Sequence, residues 1–133
     1  MNEADKNKIA EIMARHGAVL GYLFGSAARG TMGPHSDIDV AVLFRDDIPI
    51  NTHSKLELMI SIELRQALNL YHVNVFNITS VDPFLKHKII LAEGESIYVA
   101  DQRLKTGLVC LTLHEYEDAV GFREQAYKMM AAV

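Results

Sequence analysis

The sequence predicts an α/β (α+β) protein in which helices flank a small mixed sheet. Two observations lead to this class: apolar residues recur at helical spacing near the start and again after residue 52, and short apolar or alternating runs lie between them. Helices and strands therefore interleave, as they do where helices cover a sheet. Half of the 133 residues are hydrophobic and three are proline, which is typical of one packed domain and excludes a disordered chain.

The first third of the chain predicts one helix and two strands. Residues 3–16 place their apolar side chains on one helical face, and Gly17 follows as a helix-ending glycine. Residues 19–24 form a short apolar run, which predicts a buried strand. Residues 37–44 alternate between two faces, which predicts a second strand with two carboxylates at its beginning.

The rest of the chain predicts helices over residues 52–68, 82–94 and 101–133 and strands over residues 71–78 and 96–100. We expect the last helix to be interrupted at Gly107 and Gly121, because glycine disfavours helix interiors. We divide the chain into a domain over residues 1–100 and a C-terminal helical extension over residues 101–133. The extension is expected to pack on the domain or on a partner.

Composition limits the compartment and the class of ligand. Cys110 is the single cysteine and lies in an apolar stretch, so we expect it to be packed and to form no internal disulfide. No apolar stretch reaches the ~18 residues of a membrane span, and the polar start differs from a secretory signal. The net charge is −4 and the basic residues are scattered, which makes a nucleic-acid acceptor unfavourable. A cytoplasmic protein is expected.

The turn after the first predicted strand has the residues of a phosphate-binding loop. Gly25 permits a sharp turn and close approach of its amide to a phosphate, and Ser26 adds a hydroxyl donor near a helix start. Arg29 could bind a nucleotide phosphate or form a structural ion pair. Ser36 could bond to phosphate or to its own loop. We assign all four residues to nucleotide binding.

Asp37 and Asp39 are the metal-ligand candidates. Two positions apart on a strand, they point to the same side with Cα atoms about 6.6 Å apart. Carboxylates placed in this way can hold Mg²⁺ together with substrate phosphates. The alternative is an acidic strand start that faces solvent. A phosphate cradle beside a metal site is the minimum equipment for nucleotide transfer.

These residues resemble the signature of the nucleotidyltransferase superfamily of the DNA polymerase beta type: Gly25-Ser26, ten residues, then Asp37-x-Asp39. The short length resembles the minimal members, the MntA-like antitoxins of HEPN–MNT toxin–antitoxin pairs. Residues 84–98 and 116–118 are weakly similar as well. The resemblance implies a nucleotidyltransferase fold and an enzyme that uses Mg-ATP to attach AMP to a tyrosine of a HEPN ribonuclease toxin. It also implies a stable complex with that toxin.

One departure concerns the family's third carboxylate, which serves as metal ligand and base. The matching stretch, residues 73–78, has Asn74 and Asn77 at the two acidic places. Asparagine offers a carbonyl ligand but cannot accept a proton. Three interpretations remain open: a slow enzyme or one that uses its partner's base, an inactive relative, or an introduced substitution. Because Asp37 and Asp39 are intact, we favour reduced activity and assign Asp37, Asp39 and Asn74 as catalytic.

Three functions are therefore compared. The first is an AMP-transferring antitoxin, and the second is an antitoxin that neutralises its toxin by binding alone. The third is a small-molecule nucleotidyltransferase, which typically needs a second substrate-binding domain. The sequence leaves the nucleotide preference, the acceptor residue, the number of AMP units and the oligomeric state open.

Overall fold

A computed structural model describes residues 1–29 and 37–132, with Arg29 described by its backbone alone. The elements in chain order are α1 (Glu3–Arg15), β1 (Ala18–Phe24), α2 (Ser26–Arg29), β2 (Ile38–Phe44), α3 (His53–Leu68), β3 (Val73–Asn77), α4 (Pro83–His87), β4 (Glu95–Val99) and α5 (Gln102–Ala131). A 3₁₀ turn, Ile50–Thr52, leads into α3, and a π-helical turn, Lys88–Ala92, continues α4. The predicted interleaving of helices and strands is confirmed.

The strands form one mixed sheet in the order β3-β2-β1-β4. β1 runs antiparallel to β2 and β4, and β2 runs parallel to β3. The register pairs Phe24 with Asp39 and Asp39 with Asn74 across three neighbouring strands. The end of β1, the start of β2 and the start of β3 therefore lie side by side at one end of the strands.

Helices cover both faces of this sheet. On one face, Ile9 and Met13 of α1 and Ile60 of α3 pack on Val40 and Val42 of β2. All five side chains are inaccessible to solvent. Burial of such side chains stabilises the fold by about 1.5–3 kcal/mol each, so this layer fixes the position of β2.

The second face is covered by the chain that follows β3. Tyr22 and Phe24 of β1 pack there with Ala41 of β2, Ile89 of the π-helical turn and Leu108 of α5. β2 thus buries both of its faces, as its nearly continuous apolar sequence requires. Asp39 shares a face with Ala41, because side chains alternate along a strand.

Two predicted helix boundaries are confirmed, one by the backbone conformation of a glycine and the other by capping contacts. Gly17 follows α1 with φ +89°, a left-handed conformation that favours glycine. Asp82 precedes α4 and accepts hydrogen bonds from the amides of Phe84 and Leu85, while Pro83 occupies the first helical position. These contacts satisfy amides that a helix start leaves without partners.

The predicted interruption of the C-terminal helix is wrong. α5 runs through Gly107 and Gly121, where an added Cβ would meet no atom within 4 Å. Each glycine costs about 1 kcal/mol relative to alanine, which the tertiary contacts of the helix offset. The packing predicted for Cys110 is also wrong, because Cys110 is exposed. It lies about 200° around the helix from the buried Leu108.

The first half of α5 is fixed to α4. Lys86 is 7% exposed and its Nζ lies 3.1 Å from a carboxylate oxygen of Glu115. The rings of His87 and Tyr116 stack with 3.7 Å between their centroids. Removal of one partner of a buried ion pair is strongly destabilising, so these contacts hold the helix in place.

The second half of α5 has few such contacts. Arg123 covers the ring of Phe84 at 4.5 Å, and the apolar Phe122, Met129 and Met130 are each more than 60% exposed. No helix in the described residues is both long and apolar enough to span a membrane. The division of the chain at residue 100 stays a prediction.

Candidate functional site

A cavity of about 370 Å³ opens at the end of the sheet where β1 ends and β2 and β3 begin. Its lining residues are Phe24, Gly25, Ser26, Asp37, Asp39, Asn74 and Lys88. The structure therefore brings together five residues that the sequence predicted from separate segments. Because the sequence predicts that Gly25 and Ser26 bind a nucleotide, we refer to this space as the nucleotide cavity.

Gly25 is required by two features of this cavity. Its φ is +72°, which side chains other than glycine rarely adopt. A Cβ at this position would lie 2.5 Å from Oδ2 of Asp39. The glycine therefore turns the chain into α2, which begins at Ser26, and leaves space for the Asp39 carboxylate.

Asp39 lies at the centre of the site. Its Oδ1 accepts a hydrogen bond of 2.8 Å from the Asn74 side-chain amide, and its Oδ2 faces Gly25. Asp39 is half-buried, whereas Asp37, just before β2, is exposed. The neutral Asn74 amide therefore orients Asp39 at the position for which the sequence resemblance implied a third carboxylate.

The donor set fits a magnesium ion that arrives with a nucleotide. Asp37 and Asp39 supply two carboxylates at one cavity, and Mg²⁺ is usually held by one or two carboxylates together with substrate phosphates and water. Within residues 1–29 and 37–132, no group of three or more His, Cys, Asp or Glu side chains is placed to hold a metal. The described residues thus offer two carboxylates, and phosphate oxygens and water would complete the coordination shell.

Lys88 is the site residue that sequence reasoning missed. It begins the π-helical turn after α4, lines the cavity and has a side chain 52% exposed. Its Nζ lies 3.8 Å from a carboxylate oxygen of Glu93, so it can turn toward an anion in the cavity at small cost. The only signal was a lysine within a predicted helix. Its direction depends on the π-helical turn, a feature common at functional sites.

Asn77, the other asparagine of the matching stretch, lies away from the cavity. It is 6% exposed on the opposite face of β3, and its amide lies 2.9 Å from Nδ1 of His53. Its Oδ1 accepts from the amide and the hydroxyl of Thr79. Asn77 is thus a structural residue. Ser36 lies outside the described residues and Arg29 is described by its backbone only, so their nucleotide contacts stay predictions.

Comparison with known proteins decides the family. The sequence model described as "Polymerase beta, Nucleotidyltransferase" matches residues 7–103, which is more than half of the chain. The chain belongs to this family. A relative from Methanocaldococcus jannaschii, named as a candidate protein adenylyltransferase, MJ0435, is 35% identical over 86 residues. That match covers 64% of this chain and 86% of the relative.

Solved structures show the same fold along nearly the whole length of this chain. A chain from a toxin–antitoxin structure with AMP-PNP superimposes with a TM-score of 0.77 at 23% identity, covering 95% of this chain and 98% of the other. A chain from the complex of the tri-AMPylated Shewanella oneidensis HEPN toxin with its MNT antitoxin gives 0.74 at 21% identity, covering 98% and 99%. These matches extend across α5, so the long helix is part of the shared fold.

Proposed function

We propose that this nucleotidyltransferase is an antitoxin that transfers AMP from Mg-ATP to a tyrosine of a HEPN-domain toxin and thereby neutralises it. The observation that carries the proposal is the convergence of Gly25, Ser26, Asp37 and Asp39 on one cavity. The name of the M. jannaschii relative and the AMPylated toxin in the S. oneidensis complex support the acceptor class. ATP as donor agrees with the predicted cytoplasmic location.

Each lining residue has a role in this reaction. Gly25 and Ser26 bind the triphosphate, with the backbone amide and the hydroxyl as donors. Asp37 and Asp39 would hold Mg²⁺, which neutralises phosphate charge when bound. Lys88 pairs with a phosphate oxygen as a mobile cation. The donors thus surround the phosphates from β1, β2 and the π-helical turn.

The transfer itself exchanges one bond at phosphorus. The tyrosine hydroxyl oxygen attacks the α-phosphate, the bond to pyrophosphate breaks, and pyrophosphate leaves. Asn74 holds Asp39 in place but cannot accept the hydroxyl proton, which passes to water or to a base of the partner. We therefore expect slow transfer. The tyrosine has a high ordinary pKa, so the missing base limits the rate.

The test is an intact-mass spectrum of the HEPN-domain partner after incubation with this protein and Mg-ATP. A mass increase of whole AMP units is expected, and it should disappear without Mg²⁺ and in the double variant Asp37→Ala/Asp39→Ala. Asp46→Ala/Asp47→Ala is the matched control, because it removes two exposed carboxylates just beyond β2. Transfer that survives in the first double variant would reject the proposal.

A second function is supported by one observation, the neutral Asn74 amide bound to Asp39 in place of the third carboxylate. In this alternative the chain neutralises its toxin by binding alone. The same spectrum separates the two functions, because a bound and inhibited partner with no added mass would establish neutralisation by contact.

The proposed partner also has a surface to bind. α5 exposes an apolar set that consists of Leu104, Leu111, Leu113, Phe122, Tyr127, Met129 and Met130. Several large apolar side chains exposed along one helix are a feature of protein interfaces. Phe122→Ser should reduce co-purification of the HEPN partner, and Gln125→Ser on the same exposed turn should not. Equal retention of the partner would move the interface elsewhere.

A further inference from the structure

A second cavity of about 450 Å³ runs along the outer edge of β3. It is lined by Ser54, Glu57, Leu58 and Ser61 of α3 and by residues 73–76 of β3. We refer to it as the β3 edge groove. Asn74 lines both this groove and the nucleotide cavity, and Phe76 packs edge-to-face on Phe24 with 5.3 Å between ring centroids. The two cavities therefore adjoin through β3.

The backbone of β3 has polar groups that point into the groove. The Ile38 amide donates to the carbonyl of His72, and the Ile78 amide donates to the carbonyl of Val42. The backbone amides and carbonyls of the even-numbered residues of β3 therefore bond to β2. Those of the odd-numbered residues point away from β2, because these groups alternate in direction along a strand. The Ser61 hydroxyl donates to the carbonyl of Val73, which confirms this orientation. The amide and carbonyl of Val75 accordingly face the groove.

The side chains of the groove suit an extended polypeptide. Leu58 is 61% exposed and offers apolar surface beside Phe76. Ser54 adds a hydroxyl and Glu57 a carboxyl, whose pKa burial raises. Proteins that bind a peptide as an added strand use an edge strand with unpaired backbone groups and side-chain pockets beside it. In the part of the chain that the structure describes, β3 is the last strand on this side of the sheet.

We propose that the β3 edge groove binds an extended segment of the acceptor polypeptide as an added strand along β3, which delivers its hydroxyl past Asn74 to the nucleotide cavity. An added strand would lie about 10 Å from β2, two strand spacings. A long side chain such as tyrosine is suited to reach inward from there toward Asp39. The delivery of the hydroxyl rests on the proposed function, whereas the docking of the segment rests on the proposed HEPN-domain partner and not on the transfer.

The first measurement is amide hydrogen exchange over residues 73–77, in the free chain and in its complex with the HEPN-domain partner. A strand added along β3 would engage the Val75 amide, so its exchange should slow at least tenfold in the complex. Unchanged exchange at Val75 in a saturated complex would overturn the proposal. Because exchange is measured without ATP, this result does not depend on catalysis.

The second measurement compares two arginine substitutions on α3. Leu58→Arg places a charge in the groove, whereas Met59→Arg places it on the neighbouring exposed position, which does not line the groove. Leu58→Arg should raise the KM for the partner at least tenfold and leave kcat and the KM for ATP within twofold. Met59→Arg should change none of these more than twofold. Equal effects of both substitutions would overturn the proposal.

The two measurements separate this inference from the proposed function. Slowed exchange at Val75 without any added AMP would keep the groove as the docking site and reject the transfer. AMP transfer with unchanged exchange at Val75 would support the proposed transferase activity and reject the docking of a strand in the β3 edge groove. Circular dichroism of Leu58→Arg checks the fold, which an exposed side chain at this position should not alter.

Discussion

Two asparagines three residues apart on β3 have different roles. Asn74 is half-buried and donates to Asp39 in the nucleotide cavity, whereas Asn77 is 6% exposed and contacts His53 and Thr79 on the opposite face. Both stand where the family pattern has acidic residues. Strand alternation alone places one in the site and the other in the core.

The comparison shows that residue type and motif position do not define a site residue. Asn77 uses its oxygen and its amide in hydrogen bonds to neighbours, so its side chain is fixed by the fold. Among the described residues, the Asn74 side chain bonds to Asp39, the carboxylate of the site. Substitutions on the Asn74 face should therefore change activity, and those on the Asn77 face should change stability.

Among the single substitutions, the largest effect should come from Gly25→Ala, which tests the site face alone. The added Cβ would meet the Asp39 carboxylate at 2.5 Å, and the φ of +72° is unfavourable for alanine by about 1 kcal/mol or more. AMP transfer to the HEPN partner should fall at least about a hundredfold, measured as initial rate. Gly121→Ala is the matched control, because its Cβ meets open space and should leave the rate unchanged.

Asn77→Ala should produce the opposite pattern. It removes the contact of the buried Asn77 with Nδ1 of His53 and the two hydrogen bonds that Asn77 accepts from Thr79, at a cost of about 1–3 kcal/mol. The free energy of unfolding in urea should fall by that amount, while the transfer rate of the folded protein stays within twofold. A rate loss as large as that of Gly25→Ala would show that the two faces do not act separately.

The features of the fold that the sequence predicted are those that depend on local patterns. The alternation of residues 37–44 indicated β2, and Asp82 with Pro83 indicated the start of α4, because spacing and capping act over a few residues. The continuity of α5 through Gly107 could not be predicted, since it depends on contacts such as Lys86 with Glu115.

The site divides in the same way. The cavity joins Gly25 with Asp37 and Asp39, which one short motif had already linked in the sequence. Lys88 reaches the same cavity from a segment some fifty residues later, and no local pattern gave its direction. Asn74 and Asn77 lie on opposite faces because their spacing on the strand is an odd number of residues. Which face holds the cavity and which is buried under α3 follows only from the structure.

Asn74→Asp sharpens the comparison on the site face. It restores a carboxylate beside Asp39 that can bind metal and accept a proton, so the transfer rate should rise about tenfold. Without Mg²⁺ the two carboxylates repel each other, and the melting temperature should fall and then recover when Mg²⁺ is added. Asn77→Asp is the control: it should lower the melting temperature with no recovery in Mg²⁺. An unchanged rate would place the proton acceptor elsewhere.

The smallest effect concerns Glu57, which lies one turn after His53 on α3 and lines the β3 edge groove. Burial raises the pKa of the Glu57 carboxyl above its usual value, and the nearby His53 charge opposes this shift. The folded state therefore favours the protonated carboxyl. The stability that this gives is fully present below the pKa of the unfolded chain, near 4.5, and is lost as the pH rises through the folded pKa. Melting temperatures from about pH 4 to 7 should thus fall in the wild type relative to Glu57→Gln, whereas parallel curves would show that the groove leaves this carboxyl fully hydrated.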